Sequence, residues 1–78
     1  MYEVRAIFGS EEKAKRMHDI FERVAKDFKL KLFKVLPDIE EYEHGTFCFY
    51  FQTDEIYVYN ILDSIVTESD GATFMRAC

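Results

Sequence analysis

Tryptophan is absent from this sequence, proline occurs once, glycine three times and cysteine twice. So little glycine and proline excludes a collagen-like or low-complexity chain and argues against disorder. Two cysteines do not make a disulfide framework. Cys48 lies in an aromatic run and reads as buried, whereas Cys78 is the last residue. A Cys48–Cys78 bridge is therefore not expected, and a reducing compartment, the cytoplasm, is. No apolar run approaches the ~20 residues needed to cross a bilayer. The first residues, Met1 to Arg5, show no basic segment leading into an apolar core, so a signal peptide is not expected.

Basic residues are also scarce beyond Lys34. Residues 1–34 carry nine Lys/Arg against six Asp/Glu, a charge of +3, while residues 35–78 carry only Arg76 against nine Asp/Glu, a charge of −8. Such a chain is electrically polar, and its acidic half repels phosphate backbones and attracts basic proteins. The blander account is that the charge keeps an aromatic-rich protein in solution.

What the chain has in quantity is apolar surface. Hydrophobic residues make up 49%, and eight Phe and five Tyr supply large contact areas. Seventy-eight residues make one domain, 1–78, with a thin stability margin, since a chain this short buries only ~60–65% of its unfolded surface.

Alternation of Tyr2, Val4, Ala6 and Phe8 with Glu3, Arg5 and Ile7 predicts a half-buried strand. Ser10, followed by Glu11 and Glu12, reads as a helix N-cap. From Glu11 to Phe28, Ala14, Met17, Phe21, Val24, Ala25 and Phe28 form one apolar stripe. The opposite face carries four acid-to-base pairs at i,i+4: Glu11/Lys15, Glu12/Arg16, Asp19/Arg23 and Glu22/Lys26. Lys29 to Leu36 reads as a second strand with Leu30 and Leu32 inward, stopped by Pro37. Residues 38–45 read as an acidic connection, or alternatively as the extension of a hairpin closed at His44-Gly45. Thr46 to Gln52 is the most strand-like stretch, with Phe47, Phe49 and Phe51 on one face. Thr53 reads as the cap of a second helix, its stripe made by Val58, Ile61, Leu62 and Ile65. Asp70-Gly71 ends that helix, and Ala72 to Ala77 reads as a last strand.

The order β-α-β-β-α-β predicts an α+β fold of the ferredoxin-like plan. This is a two-layer sandwich in which an antiparallel four-stranded sheet carries both helices on one face, with the first and third strands central. The plan hosts many unrelated functions. On this reading the open face of the sheet carries Arg5, Ile7, Lys31, Phe33, Val35, Cys48, Tyr50 and Met75, an apolar centre suited to another protein or a second copy.

No chemistry-bearing motif stands out. His18, His44, Cys48 and Cys78 lack metal-ligand spacing, and no phosphate-cradling loop, nucleophile elbow or acid–base pair is present. Neither metal nor cofactor is expected, and an enzyme only as a small dimer with His18 beside a cleft. An RNA-binding domain of the RRM type shares the strand order, but the parity of the third strand turns its Phe residues inward and leaves Tyr50 as the outward aromatic. The expectation is a non-enzymatic binding or regulatory module, such as a small acidic inhibitor of phage type. It would dock on the basic surface of a larger nucleic-acid-handling protein through Asp38, Glu40, Glu41, Glu43, Asp54 and Glu55 near one end of the sheet, with Phe33, Val35 and Tyr50 beside them.

Overall fold

The computed structural model describes residues 1–29 and 31–77. The inward placement expected of Leu30 and any bridge to Cys78 lie outside the described residues. The elements run β1 (Tyr2–Phe8), α1 (Glu11–Asp27), β2 (Lys34–Glu43), β3 (Thr46–Thr53), α2 (Ile56–Glu68) and β4 (Ala72–Ala77). The strands form one antiparallel sheet in the order β2-β3-β1-β4. This is the ferredoxin-like arrangement, with β1 and β3 at the centre. No helix among the described residues is long and apolar enough to cross a membrane.

Side-chain parity in β1 and β3 creates the core. Val4, Ala6 and Phe8 lie across Phe51, Phe49 and Phe47, and directly opposed residues in an antiparallel pair share a sheet face. α1 lays Ala14, Met17, Phe21 and Ala25 on that face. The Phe21 ring meets Phe33, Phe49 and Phe51 edge-on, with centroids 6.1, 5.4 and 5.6 Å away. Such edge-to-face contacts add to area burial by roughly 0.5–1.5 kcal/mol each. The Ser10 hydroxyl accepts the Lys13 amide at 3.2 Å, as expected of an N-cap. Of the four anticipated surface pairs, Glu12–Arg16 closes at 2.8 Å and Glu11–Lys15 at 3.8 Å, while Glu22 turns instead toward His18. Phe28 caps α1 and is half exposed rather than part of the stripe.

β2 departs most from the sequence expectation. It begins at Lys34, not Lys29, and runs through Pro37 to Glu43, so the acidic segment is hairpin rather than connection. Lys29 takes a left-handed backbone (φ 55°) as the chain leaves α1, which consumes the first half of the anticipated strand. Pro37 is tolerated because β2 is an edge strand and because the proline sits in an irregularity. Pairing passes from Val35↔Phe51 to Ile39↔Phe49, so four steps along β2 match two along β3. The Leu36 carbonyl, inside this bulge, accepts a hydrogen bond from His18 Nε2 at 2.8 Å. Gly45 (φ 77°) turns the hairpin.

α2 starts after Glu55, with no side-chain cap. Thr53 instead ends β3, buried, accepting the Glu55 amide and donating to the Leu32 carbonyl. The buried row is Val58, Leu62 and Val66, whereas Ile61 and Ile65 are 57% and 37% exposed. Two apolar rows share this helix, and contact with β4 selects between them, since Tyr59 and Asp63 both reach the Thr73 hydroxyl.

At the exit from α2, the Gly71 amide bonds the Val66 carbonyl at 2.9 Å. A Cβ on Gly71 would lie 2.7 Å from Val66 Cγ1 and 2.8 Å from both the Ile7 carbonyl oxygen and Phe8 Cε1. Because one of these atoms is central-strand backbone, Gly71→Ala is expected to cost about 1–3 kcal/mol by overpacking, read from urea denaturation. Unchanged stability would mean that β1 and the α2 exit are not packed this closely.

Candidate docking surface on the open sheet face

The same register that buries the Phe residues fixes what lies on the helix-free face. Arg5 stands across Tyr50 on one side and Phe74 on the other, Ile7 across Cys48 and Ala72, and Glu3 across Gln52 and Arg76. On β2, Lys34 opposes Gln52 and Glu40 opposes Cys48. A shallow groove of about 400 Å3 crosses this face, lined among others by Arg5, Leu36, Glu40, Tyr50, Phe74 and Arg76.

Arg5 is the centre of the arrangement. Its Nε donates to the Tyr50 hydroxyl at 3.1 Å, and its guanidinium carbon lies 4.8 Å from the Tyr42 ring centroid and 5.5 Å from that of Tyr50. Cation–π contacts of this kind are worth about 0.5–2 kcal/mol each, so one cation holds two tyrosines in place. The Tyr50 hydrogen bond pushes the Arg5 pKa further up, and the group stays charged. Glu3 accepts from Arg76 at 3.1 Å and from Gln52 at 3.3 Å, which aligns the side chains along the β1–β4 edge of the face. Beneath Tyr50, the Cys48 thiol is buried, and burial, then the nearby Glu40 carboxylate, raise its pKa.

The anticipated site residues divide. Tyr50 is on the open face, as expected. Phe33 and Val35 are not: Phe33 is buried against Phe21 and Phe51, and Val35 opposes the buried Phe51. The late start of β2 shifts its parity relative to the sequence reading. Met75 opposes Val4, which puts its side chain on the helix side of its strand, although the residue also borders the open-face groove.

The acids do not gather at one end. Asp38, Glu40, Glu41 and Glu43 line the hairpin half of β2, whereas Asp54 and Glu55 follow β3 at its other end. The length of β3, eight residues or roughly 25 Å, lies between the two groups. Within β2 the pleat sends Glu40 to the open face and Glu41, across Phe47, to the other. Asp54 pairs with the Met1 ammonium at 3.8 Å.

Tyr42 and Phe74 were not anticipated on this face. Tyr42 lay in a segment whose strand character was ambiguous, so its parity had no reference. Phe74 could have been found from strict alternation in ATFMRA once β4 was set beside β1.

His18 is buried, edge-on to Phe49, with Nε2 committed to Leu36 and Nδ1 3.4 Å from Glu22. His18, Asp19 and Glu22 place one nitrogen and two carboxylate oxygens within 4.8 Å of one another, an i, i+1, i+4 set that the sequence reading passed over. His44 is exposed at the hairpin turn. A second groove, of about 460 Å3, runs between the helices past Lys13, Met17, Ile20 and Ile65. Neither histidine lines either groove.

No protein-family model matches this chain, and no curated protein or solved structure is significantly similar to it.

The raised thiol pKa has a testable sign. The folded protein favours the protonated thiol, so the contribution of Cys48 is complete below the unfolded thiol pKa of about 8.5 and is lost as pH rises toward the folded value. Urea denaturation between neutral and alkaline pH is expected to show a steeper loss of stability for the native sequence than for Cys48→Ala. Equal slopes would show that burial does not hold the thiol neutral.

Proposed function

We propose that this chain is a non-enzymatic protein-binding or regulatory module of the reducing cytoplasm, of the small acidic inhibitor type, which docks a basic surface of a larger protein through its open sheet face. The observation that carries this reading is the Arg5 guanidinium set between Tyr42 and Tyr50, with Phe74 and Leu36 beside it and Glu40 at the rim. Tyrosine and arginine are the residue types that dominate interface energetics, and side chains already immobilised lose little entropy on binding. Of the β2 carboxylates, Glu40 borders this centre, and with the other acids of the hairpin it favours a partner rich in Lys and Arg, raising the association rate at low salt. A nucleic-acid phosphate backbone fits less well. Three aromatic rings share the face, but Glu3 and Glu40 project from it, and Arg5 and Arg76 already have partners.

The test compares immobilised native protein with Tyr42→Ala and with a Glu40→Lys/Glu41→Lys/Glu43→Lys variant, incubated with nuclease-treated lysate across a salt series. A specific protein is expected on the native chain at low salt, weakened by Tyr42→Ala and lost with the triple variant. Capture unaffected by both changes would discard this face, and a partner retained only without nuclease would favour nucleic acid.

A further inference from the structure

The two edges of the sheet are built differently. β2 is guarded in three of the ways that natural edges are: Pro37 removes a donor, two register shifts break the ladder, and Lys34, Asp38, Glu40, Glu41 and Glu43 put charge on half of its ten residues. β4 has none of these devices. Its sequence, ATFMRA, holds no proline or glycine, its pairing with β1 runs through six consecutive partners without a shift, and Arg76 is its only charge. Phe74 and Met75, on opposite faces of the strand, are 59% and 41% exposed. A straight, apolar, unguarded edge presents a row of backbone donors and acceptors to any strand that can pair with it.

We propose that the β4 edge is a self-association surface on which a second copy of this chain pairs its own β4 antiparallel, joining two four-stranded sheets into one of eight strands. A second copy is favoured over another strand on three grounds. Antiparallel pairing of one strand with itself is two-fold symmetric and closes, so it yields a dimer rather than a filament. Charge excludes the competing edge-to-edge arrangement, because two β2 edges would oppose clusters of carboxylates. A pairing centred on Met75 also keeps faces matched and sets Phe74 across the Arg76 of the second copy on the open face, an aromatic–cation neighbour pair. Both copies then carry their helices on the same side.

Size bounds the affinity. A six-residue strand is roughly 20 Å long, and with Phe74 and Met75 it contributes less than the ~800 Å2 per partner of a standard stable interface. The dimer is therefore reversible, with dissociation in the micromolar range or weaker. It shares Phe74 and Arg76 with the groove above but does not rest on the docking reading, whose tests act on Tyr42 and the β2 acids, and these take no part in it.

Sedimentation velocity over roughly 1 μM to 1 mM is expected to show a weight-average mass rising from monomer toward dimer. Phe74→Lys and Met75→Lys are each expected to raise the dissociation constant at least tenfold, with circular dichroism checking the fold, while Ile61→Lys, on the exposed side of α2, leaves it unchanged. Hydrogen exchange on the native chain gives a second reading that needs no variant, as β4 amides slow with concentration and β2 amides do not. A single monomeric mass throughout overturns the proposal. So does a dimer that survives Phe74→Lys and is broken by Ile61→Lys, or exchange protection that grows on β2 instead of β4.

Discussion

The contact of Phe21 with Phe33, Phe49 and Phe51 is the constraint from which the rest of the molecule follows. Once Phe49 and Phe51 turn toward α1, the pleat of β3 sends Cys48, Tyr50 and Gln52 to the other face, and antiparallel pairing imposes that choice on β1 and β2. A slip of one residue would trade two buried Phe rings for Cys48 and Tyr50. Full burial of a phenylalanine is worth about 1.5–3 kcal/mol, so even with Cys48 and Tyr50 buried in exchange the slip costs a sizeable fraction of a small domain's stability. The composition of the open face is thus a consequence of core packing, and Arg5 meets Tyr50 because Ala6 meets Phe49.

How much of this was legible depended on whether local pattern and tertiary contact pointed the same way. β1, α1 and β3 were legible because alternation or a three-to-four spacing occurs once in each, bounded by Gly9-Ser10 and by Gly45. β2 was not. Lys29 to Phe33 alternates as a strand would, yet Lys29 has the left-handed backbone of a helix exit, and no side chain in that segment records it. Moving the strand start reversed the faces assigned to Phe33 and Val35. In α2 the helix was legible but its orientation was not. Ile, Val, Leu and Tyr occupy so much of its circumference that two rows qualify, and the choice is made by Thr73, which arrives from β4. Of the candidate site, Tyr50 followed from β3 parity, whereas Tyr42 and Phe74 needed the pairing partners.

The bulge in β2 shows how a local defect is kept from spreading. Pro37 interrupts the ladder at an edge, where one missing donor costs least. The interruption frees the Leu36 carbonyl to take the His18 ring nitrogen, which ties α1 to β2 through a residue whose ring also packs on Phe49. One nitrogen of His18 is thus held and its ring is wedged into the core. Leu36 itself follows Val35 in the pleat and so lines the groove beside Arg5 and Tyr50, while its carbonyl serves α1.

The charge of β2 separates two demands that a single residue count would confuse. Keeping an edge strand from pairing requires charge, but it does not require a sign, and lysine guards an edge at least as well as glutamate. Edge protection therefore accounts for the density of charge on β2 and leaves its polarity unexplained. That polarity is uniform over Asp38, Glu40, Glu41 and Glu43, and only Lys34, at the far end of the strand, differs. Like charges this close repel one another, a cost the fold bears without return from its own contacts, since no basic side chain pairs with any of the four among the described residues. A cluster of one sign that the monomer does not neutralise goes beyond what guarding an edge requires, and it is the feature that the docking proposed above would use.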